Sequence, residues 1–114
     1  MEEKEIACQA AMRPIMDSMF VLSGKWKLLI ILALTFRNCG FVELEKQVKG
    51  ISPRMLSKEL KHLVENKLVT RKNHIDNPSK VEYALSEHGQ SLKPVILALR
   101  DWGKLHRSVI FDRA

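Results

Sequence analysis

Apolar residues recur along much of the chain with the period of an α-helix. The first such stretch covers about residues 7–22, with one apolar stripe. The stripe consists of Met12, Ile15, Met16, Met19 and Phe20. Ser23 is a candidate N-cap for a second helix over residues 24–36, which is apolar nearly all round and therefore typical of a buried central helix. Residues 38–40 interrupt the pattern, and a very short strand is expected near Phe41.

The next segment predicts two helices joined by a tight turn. A short helix over residues 42–48 is followed by a longer one over residues 53–66. Gly50 is a natural C-terminal cap for the first of them. Ser52 is a natural N-cap for the second, and Pro53 suits its first position. Two short helices joined in this way are typical of a helix-turn-helix.

The longer of these helices has two different faces. Its apolar side, spaced i, i+4, i+7 and i+8, carries Leu56, Leu60, Leu63 and Val64. Its other side and its first turn present donors that suit phosphates and guanine. These candidate DNA-binding residues are Ser52, Pro53, Arg54, Ser57, Lys58 and Lys61. Taken alone, the cationic pattern fits an ordinary solvated face equally well. Asn66 is the expected last residue, because asparagine tolerates a left-handed backbone.

A β-hairpin is predicted directly after this helix. Residues 68–74 and 80–85 form its two strands, and residues 76–79 form the turn. The cations around the turn are Arg71, Lys72 and Lys80. Such a hairpin either follows the DNA backbone or enters a minor groove, or its lysines simply protect a sheet edge. Lys25 and Lys27, at the start of the second helix, are weaker candidates for phosphate contacts.

The last predicted helix covers residues 87–110, with Ser86 as its cap and a kink expected at Pro94. Its apolar stripe is long. It consists of Leu92, Val95, Ile96, Leu99, Trp102, Leu105, Val109 and Ile110. A core of this size cannot cover so much apolar surface, so a further partner is expected for it.

Composition narrows the class of protein. The 114 residues suffice for one domain, and 19 basic against 13 acidic side chains give a net charge of +6 and a pI near 9.6. Such a charge favours a polyanionic partner without separating nucleic acid from an acidic membrane. The acidic start, MEEKEIACQAAM, lacks the features of a signal peptide, and no apolar run is long enough to span a bilayer. We therefore expect a cytoplasmic protein with no membrane partner.

Chemistry-bearing motifs are missing from the sequence. The cysteines and histidines are scattered and show no metal-ligand spacing, so neither a metal site nor a cofactor is expected. The sequence also contains no Gly-rich phosphate loop, no CxxC, no HExxH and no GxSxG. We therefore expect a protein that is not an enzyme.

In this order and spacing, four segments resemble the HxlR type of winged helix-turn-helix transcription regulator, a relative of the MarR-like regulators. They are SGKWKLLIILAL at 23–34, GISPRMLSKEL at 50–60, VEYALSEHGQSLKPV at 81–95 and DWG at 101–103. The resemblance implies a mainly α fold with a small β-hairpin (α+β). It implies one domain over residues 1–114, with a core over 14–106, a recognition helix over 53–66 and a wing over 68–85.

The resemblance further implies a homodimer, built by the first and last helices, that represses transcription from a pseudo-palindromic operator in double-stranded DNA. The implied dimer interface comprises Met12, Ile15, Met16, Met19, Leu99, Trp102, Leu105, His106 and Val109. The alternative hypothesis is a winged-helix module that binds proteins and not DNA. Neither hypothesis identifies an effector.

One position departs from the family pattern. Many proteins of this type carry a cysteine directly before the proline of the first helix, which in some of them senses oxidants or electrophiles, and Arg13 stands there in this chain. The nearest thiol is Cys8, five positions earlier. Cys8 is therefore the candidate thiol sensor, with an inert thiol as the alternative.

Overall fold

Residues 2–111 are described by a computed structural model of the chain. The elements in this range are α1 (Glu3–Val21), α2 (Lys27–Phe36), α3 (Phe41–Gln47), α4 (Pro53–Glu65), β1 (Val69–Asn73), β2 (Val81–Leu85), α5 (Glu87–Gln90) and α6 (Lys93–Phe111). The predicted fold class, a mainly α winged helix-turn-helix with a small hairpin, is confirmed. The outer limits of the predicted single domain, residues 1 and 114, lie outside the described range.

The core forms around α2, as expected of a helix that is apolar nearly all round. Ile30 and Ile31 of α2 are completely buried. They belong to one apolar cluster with Leu44 of α3, and with a buried stripe on α4. That stripe consists of Leu56, Leu60 and Leu63. The helix-turn-helix is therefore held from behind by the central helix.

The start of α4 lies where the sequence predicts it, but Gly50 is not the C-cap of α3. That cap is Val48, and Gly50 lies two residues later in the turn with a φ of +92°, which favours glycine. The Ser52 hydroxyl accepts a hydrogen bond from the backbone amide of Met55 at 3.1 Å, and Pro53 opens α4. α4 therefore starts within a few residues of the end of α3.

At the end of α4 the left-handed residue is Lys67, with a φ of 62°, and not Asn66 as predicted. The amide of Leu68 donates to the carbonyl of Leu63 at 3.0 Å, and that of Lys67 donates to Val64 at 3.0 Å. This double hydrogen bond is a Schellman motif, which requires the left-handed residue one position beyond the C-cap. The motif turns the chain directly into the hairpin.

β1 and β2 pair antiparallel, from Val69 opposite Leu85 to Asn73 opposite Val81. A third short segment joins them, because Cys39 and Tyr83 exchange two backbone hydrogen bonds of 3.0 and 2.7 Å. The predicted strand near Phe41 is therefore wrong by two residues.

Phe41 instead begins α3, since the Glu43 carboxylate accepts from the backbone amide of Gly40 and starts the helix at once.

Three further helices have boundaries that differ from the prediction: α1, α2 and the last predicted helix. α1 begins at Glu3, where the acidic side chains of Glu3 and Glu5 favour a helix start. Ser23 does not cap α2, which begins at Lys27; its hydroxyl donates to the carbonyl of Phe20 at 3.3 Å.

The last predicted helix is divided into α5 and α6. Pro94 cannot accompany an unbroken helix, because its ring clashes with the carbonyl four residues earlier, that of Gln90, the last residue of α5. The helix therefore restarts at Lys93, and Pro94 is its second residue and not a kink.

The long helices α1 and α6 project from the body of the protein, which consists of α2 to α5 and the hairpin. Within the described residues, none of α1 and only Ile96 of α6 is buried. The radius of gyration is 17.3 Å, against about 13 Å for a compact domain of roughly this length. The apolar stripes of both helices are therefore exposed to solvent in the single chain.

Gly89 of α5 packs directly on the turn that follows α4. A Cβ at this position would lie 2.0 Å from the carbonyl oxygen of Leu68, which also accepts from the amide of Ser86. The Ser86 hydroxyl accepts from the amide of Gly89 at 2.9 Å and donates to the carbonyl of Lys67 at 2.6 Å. No residue other than glycine fits here without a movement of the backbone.

We expect Gly89→Ala to lower the free energy of unfolding by about 1–3 kcal/mol, the usual cost of forcing extra volume into a packed site. Urea denaturation at fixed protein concentration measures this. The exposed neighbour Gln90 supplies the control, since Gln90→Ala changes the same helix and touches no buried backbone. Equal stability of the two variants would contradict the packing described for Gly89.

Candidate nucleic-acid interface

The burial of one side of α4 determines which side chains face solvent. Because Leu56, Leu60 and Leu63 point into the core, the opposite side is exposed along the whole helix. That side carries Arg54, Ser57, Lys58 and Lys61. The polar face of the predicted recognition helix is thus presented outward by the fold itself.

The start of α4 adds backbone donors to this face. Ser52 and Pro53 are exposed, and the first amides of the helix point out of its N-terminus. The Ser52 oxygen accepts from Met55, which leaves the hydroxyl hydrogen available to donate. An exposed helix N-terminus with such donors is suited to a phosphate group.

α4 and the hairpin meet along a cleft. Ser57 and Lys61 of α4 line it together with Arg71 of β1 and Tyr83 of β2. Its apolar floor is formed by Leu60 and Val64, and Glu65 lies at its edge. The structure therefore brings three predicted DNA-binding residues, Ser57, Lys61 and Arg71, onto one continuous surface.

Lys72 lies on the other side of the hairpin, because successive residues of a strand face opposite ways. It pairs in register with Glu82 and lines a second hollow with His74. Lys80 is exposed beside the turn. The predicted wing cations are thus divided between the two faces of the hairpin, and only Arg71 shares the cleft with α4.

Glu82 is not indicated by the sequence pattern, and it anchors the wing near its turn, one pair from the end of the strands. Its carboxylate accepts from the side-chain amide of Asn38 at 3.0 Å and lies 3.0 Å from the His74 ring nitrogen Nε2. Asn38 belongs to the segment between α2 and α3, so this contact ties the hairpin to the helical body. The strand alternation could have indicated Glu82 only if the register had been known.

The two lysines near the start of α2 lie in different environments. Lys25 is exposed and its ammonium lies 4.6 Å from the centre of the Trp26 ring. Lys27 is only 8% exposed and forms an ion pair with Glu59 at 3.0 Å. Because its charge is buried and paired, the structure contradicts the prediction that Lys27 contacts phosphate.

The aromatic residues are divided between the core and the surface of the single chain. Trp26 and Phe41 pack against the core cluster. Phe36 is 81% exposed and so lies outside the core of the single chain. Trp102 is also exposed and stacks on His106 with ring centres 5.0 Å apart.

The thiols lie in different environments. Cys8 is exposed on α1, whereas Cys39 is buried beside β2. Burial raises the pKa of the Cys39 thiol, and the nearby Glu43 carboxylate adds to this effect. Arg13, at the position of the usual family cysteine, is exposed and paired with Asp17 at 3.4 Å. Of the two thiols, only that of Cys8 is directly accessible from solvent.

Other kinds of site are not supported by the geometry in residues 2–111. No group of three or more His, Cys, Asp or Glu side chains in this range could hold a metal ion. None of the helices described is both long and apolar enough to cross a membrane.

Comparisons with known proteins identify the family of this chain. A family model described as HxlR-like helix-turn-helix matches residues 21–110. An uncharacterized HTH-type transcriptional regulator of Methanothermobacter thermautotrophicus is 36% identical over 87 residues, which cover 76% of this chain and 66% of that protein. The uncharacterized HTH-type transcriptional regulator YybR of Bacillus subtilis is 31% identical over 109 residues, covering 96% of this chain and 87% of that protein.

A solved structure is similar as well. The redox regulator HypR in its reduced form superposes with a TM-score of 0.76 at 30% sequence identity, covering 85% of this chain and 96% of that chain. The family match spans most of the chain and includes both α4 and the hairpin. This chain therefore belongs to the HxlR-like helix-turn-helix family and is a DNA-binding transcription regulator.

Proposed function

We propose that this regulator is a homodimeric repressor of a pseudo-palindromic operator, with α4 in the major groove and the hairpin on the backbone or in the minor groove. The observation that carries this proposal is the exposed cationic face of α4, continuous with Arg71 across the cleft. A helix of this size fits the major groove, whereas the hairpin is narrow enough to lie beside it.

Within α4, the proposed contacts follow from the position of each side chain. Arg54, in the first turn, binds a guanine edge, because the ends of recognition helices reach deepest into the groove. Ser52 and Pro53 bring the helix start against a phosphate. Ser57, Lys58 and Lys61 lie further along the same face and complete the contacts with bases and backbone.

The remaining contacts are to the DNA backbone. Arg71 extends the α4 surface, while Lys72 and Lys80 lie around the other face and tip of the hairpin. Lys25 supplies a further cation from the start of α2. Each such contact adds affinity on every sequence and makes binding weaker as salt rises.

Dimerisation is supported by the unburied stripes of α1 and α6. In α1, Met12, Ile15, Met16 and Met19 are 54–66% exposed. In α6, the exposed fractions are 48% for Leu99, 61% for Trp102, 58% for Leu105 and 68% for Val109. His106 is exposed beside Trp102. Helices in water depend mostly on packing of an apolar face, and a second copy of the chain supplies that packing for both stripes.

The alternative, a module that docks on proteins, predicts an acidic or apolar outer face on α4. The exposed charges there are Arg54, Lys58 and Lys61, with one acid, Glu65, at the end of the helix, while Glu59 is buried. These charges favour DNA. For such a regulator we propose a cytoplasmic location, and Cys8 stays a prediction as a thiol sensor.

We expect Arg54→Ala to weaken binding to a selected operator by about 1–3 kcal/mol, the value of one bidentate contact with a base. Fluorescence anisotropy on operators selected from genomic fragments measures this, with salt titration on each variant. Binding to unrelated DNA should fall much less. Replacing Lys58 by Ala should instead reduce the log–log salt slope by ~0.9, the contribution of one phosphate.

The exposed Lys93 on α6 provides a control, since Lys93→Ala removes the same charge away from α4. An equal effect of Lys93→Ala and Arg54→Ala on the operator would contradict the proposed role of α4. An equal loss for Arg54→Ala on every DNA sequence would reassign Arg54 to the backbone.

We expect Met16→Glu to raise the dimer dissociation constant more than about 100-fold, because an unpaired charge buried in an interface costs about 3–5 kcal/mol. Sedimentation equilibrium measures the change. Ala10 is exposed on the opposite side of α1 by helical spacing, so Ala10→Glu should leave the dimer intact. A Met16→Glu protein that dimerises like the wild type would exclude the α1 stripe from the interface.

A further inference from the structure

The turn between α1 and α2 lies directly over the buried side of α4. Lys27, the first residue of α2, reaches down from this turn and its ammonium lies 3.0 Å from Oε2 of Glu59. The same ammonium donates to the carbonyl of Ser23 at 3.3 Å. Gly24 has a φ of +94°, and a Cβ there would lie 3.9 Å from the Glu59 carboxylate. One buried ion pair therefore joins the end of α1, the start of α2 and the middle of α4.

This pair is well satisfied and well enclosed. Side-chain exposure is 10% for Lys27 and 7% for Glu59. The second carboxylate oxygen of Glu59 lies 3.9 Å from Nδ1 of His62, one turn further along α4. Among the described residues, no buried side-chain nitrogen or oxygen lacks a hydrogen-bond partner.

A gain in folding stability alone does not explain why a buried ion pair occurs here. Removing two charges from water costs several kcal/mol, and apolar pairs of similar volume often stabilise a core equally well. A buried charge does, however, demand its partner in one geometry. Lys27 has two fixed acceptors, one on the α1–α2 turn and one on α4, so it restricts how α1 is placed relative to α4.

The placement of α1 relative to α4 matters because the two helices have different tasks in the proposed dimer. α1 contributes to the contact between the two copies, and α4 enters the DNA. The angle between them sets the distance and rotation between the two recognition helices, which must match the spacing of the operator half-sites.

We propose that Lys27 and Glu59 are positioning residues that fix α1 relative to α4 and so determine which half-site spacing the dimer accepts. This inference rests on the proposed function of a dimer on a pseudo-palindromic operator. Neither residue touches DNA, and both act through the helices that they join.

The experiment measures spacing discrimination with the full-length dimer. The probes are the selected operator and two derivatives with one base pair inserted or removed at the centre, which moves the half-sites by ~3.4 Å and rotates them by ~34°. We expect the wild type to bind the selected spacing at least about 10-fold more tightly, since a misplaced half-site loses base contacts. In Lys27→Met/Glu59→Met, that ratio should fall below about 3-fold.

Binding to a DNA probe with a single half-site distinguishes a loss of positioning from damage to α4 itself. The double variant should bind this probe as the wild type does, because the outer face of α4 is unchanged. Glu59→Gln keeps the volume and one acceptor while it removes the charge, and its spacing ratio should fall in the same direction. Arg37→Met is the control. It breaks the exposed Arg37–Glu43 pair of 3.3 Å, at the other end of α2, and should leave the ratio unchanged.

Each outcome decides between the proposals. A double variant that is folded by circular dichroism and keeps the wild-type ratio overturns the positioning role while the proposed function stands. If the double variant does not fold, an unchanged ratio in Glu59→Gln overturns it equally. A wild type that ignores spacing or binds no operator contradicts the proposed function, and the inference falls with it.

Discussion

The packing of α4 against α2 is the constraint on which the rest of the structure depends. Leu56 and Leu60 lie in the same buried cluster as Ile30 and Ile31, so α4 cannot rotate without exposing its apolar side. Because the apolar side of α4 is buried, its cationic side faces solvent. The same packing also aims the end of α4, through the Schellman motif at Lys67, into the hairpin that shares its surface. One side of α4 thus belongs to the core, and its other side belongs to the proposed DNA-binding surface.

The two helices outside this body, α1 and α6, are packed differently. α1 and α6 carry long apolar stripes that the single chain leaves mostly in water, and among the described residues only Ile96 of α6 and Val21 of α1 join the core that packs behind the helix-turn-helix. The body thus carries the proposed DNA contacts, and in the proposed dimer the projecting helices position the two copies of the body relative to each other. Lys27 and Glu59 lie where these two tasks meet, beneath the turn that connects α1 to α2.

Local signals in the sequence predicted most of this fold. The period of α4, its start at Ser52 and Pro53, and the hairpin turn depend on neighbouring residues, and each lies within a few residues of its predicted position. Contacts between distant residues were not predictable in this way. Glu59 looks like a polar interruption of an apolar stripe, because its partner lies 32 residues away in sequence. Glu82 and Asn38 are 44 residues apart, and the division of Arg71 and Lys72 between two faces depends on strand register.

In the proposed dimer, the outward face of α4 in each of the two copies binds one half-site of the DNA. Hydroxyl-radical footprinting of the wild-type protein on a selected operator tests it most directly. We expect two symmetric protected segments of backbone whose centres lie ~34 Å apart, one turn of the double helix. A single protected segment, or uniform protection without symmetry, would contradict this account.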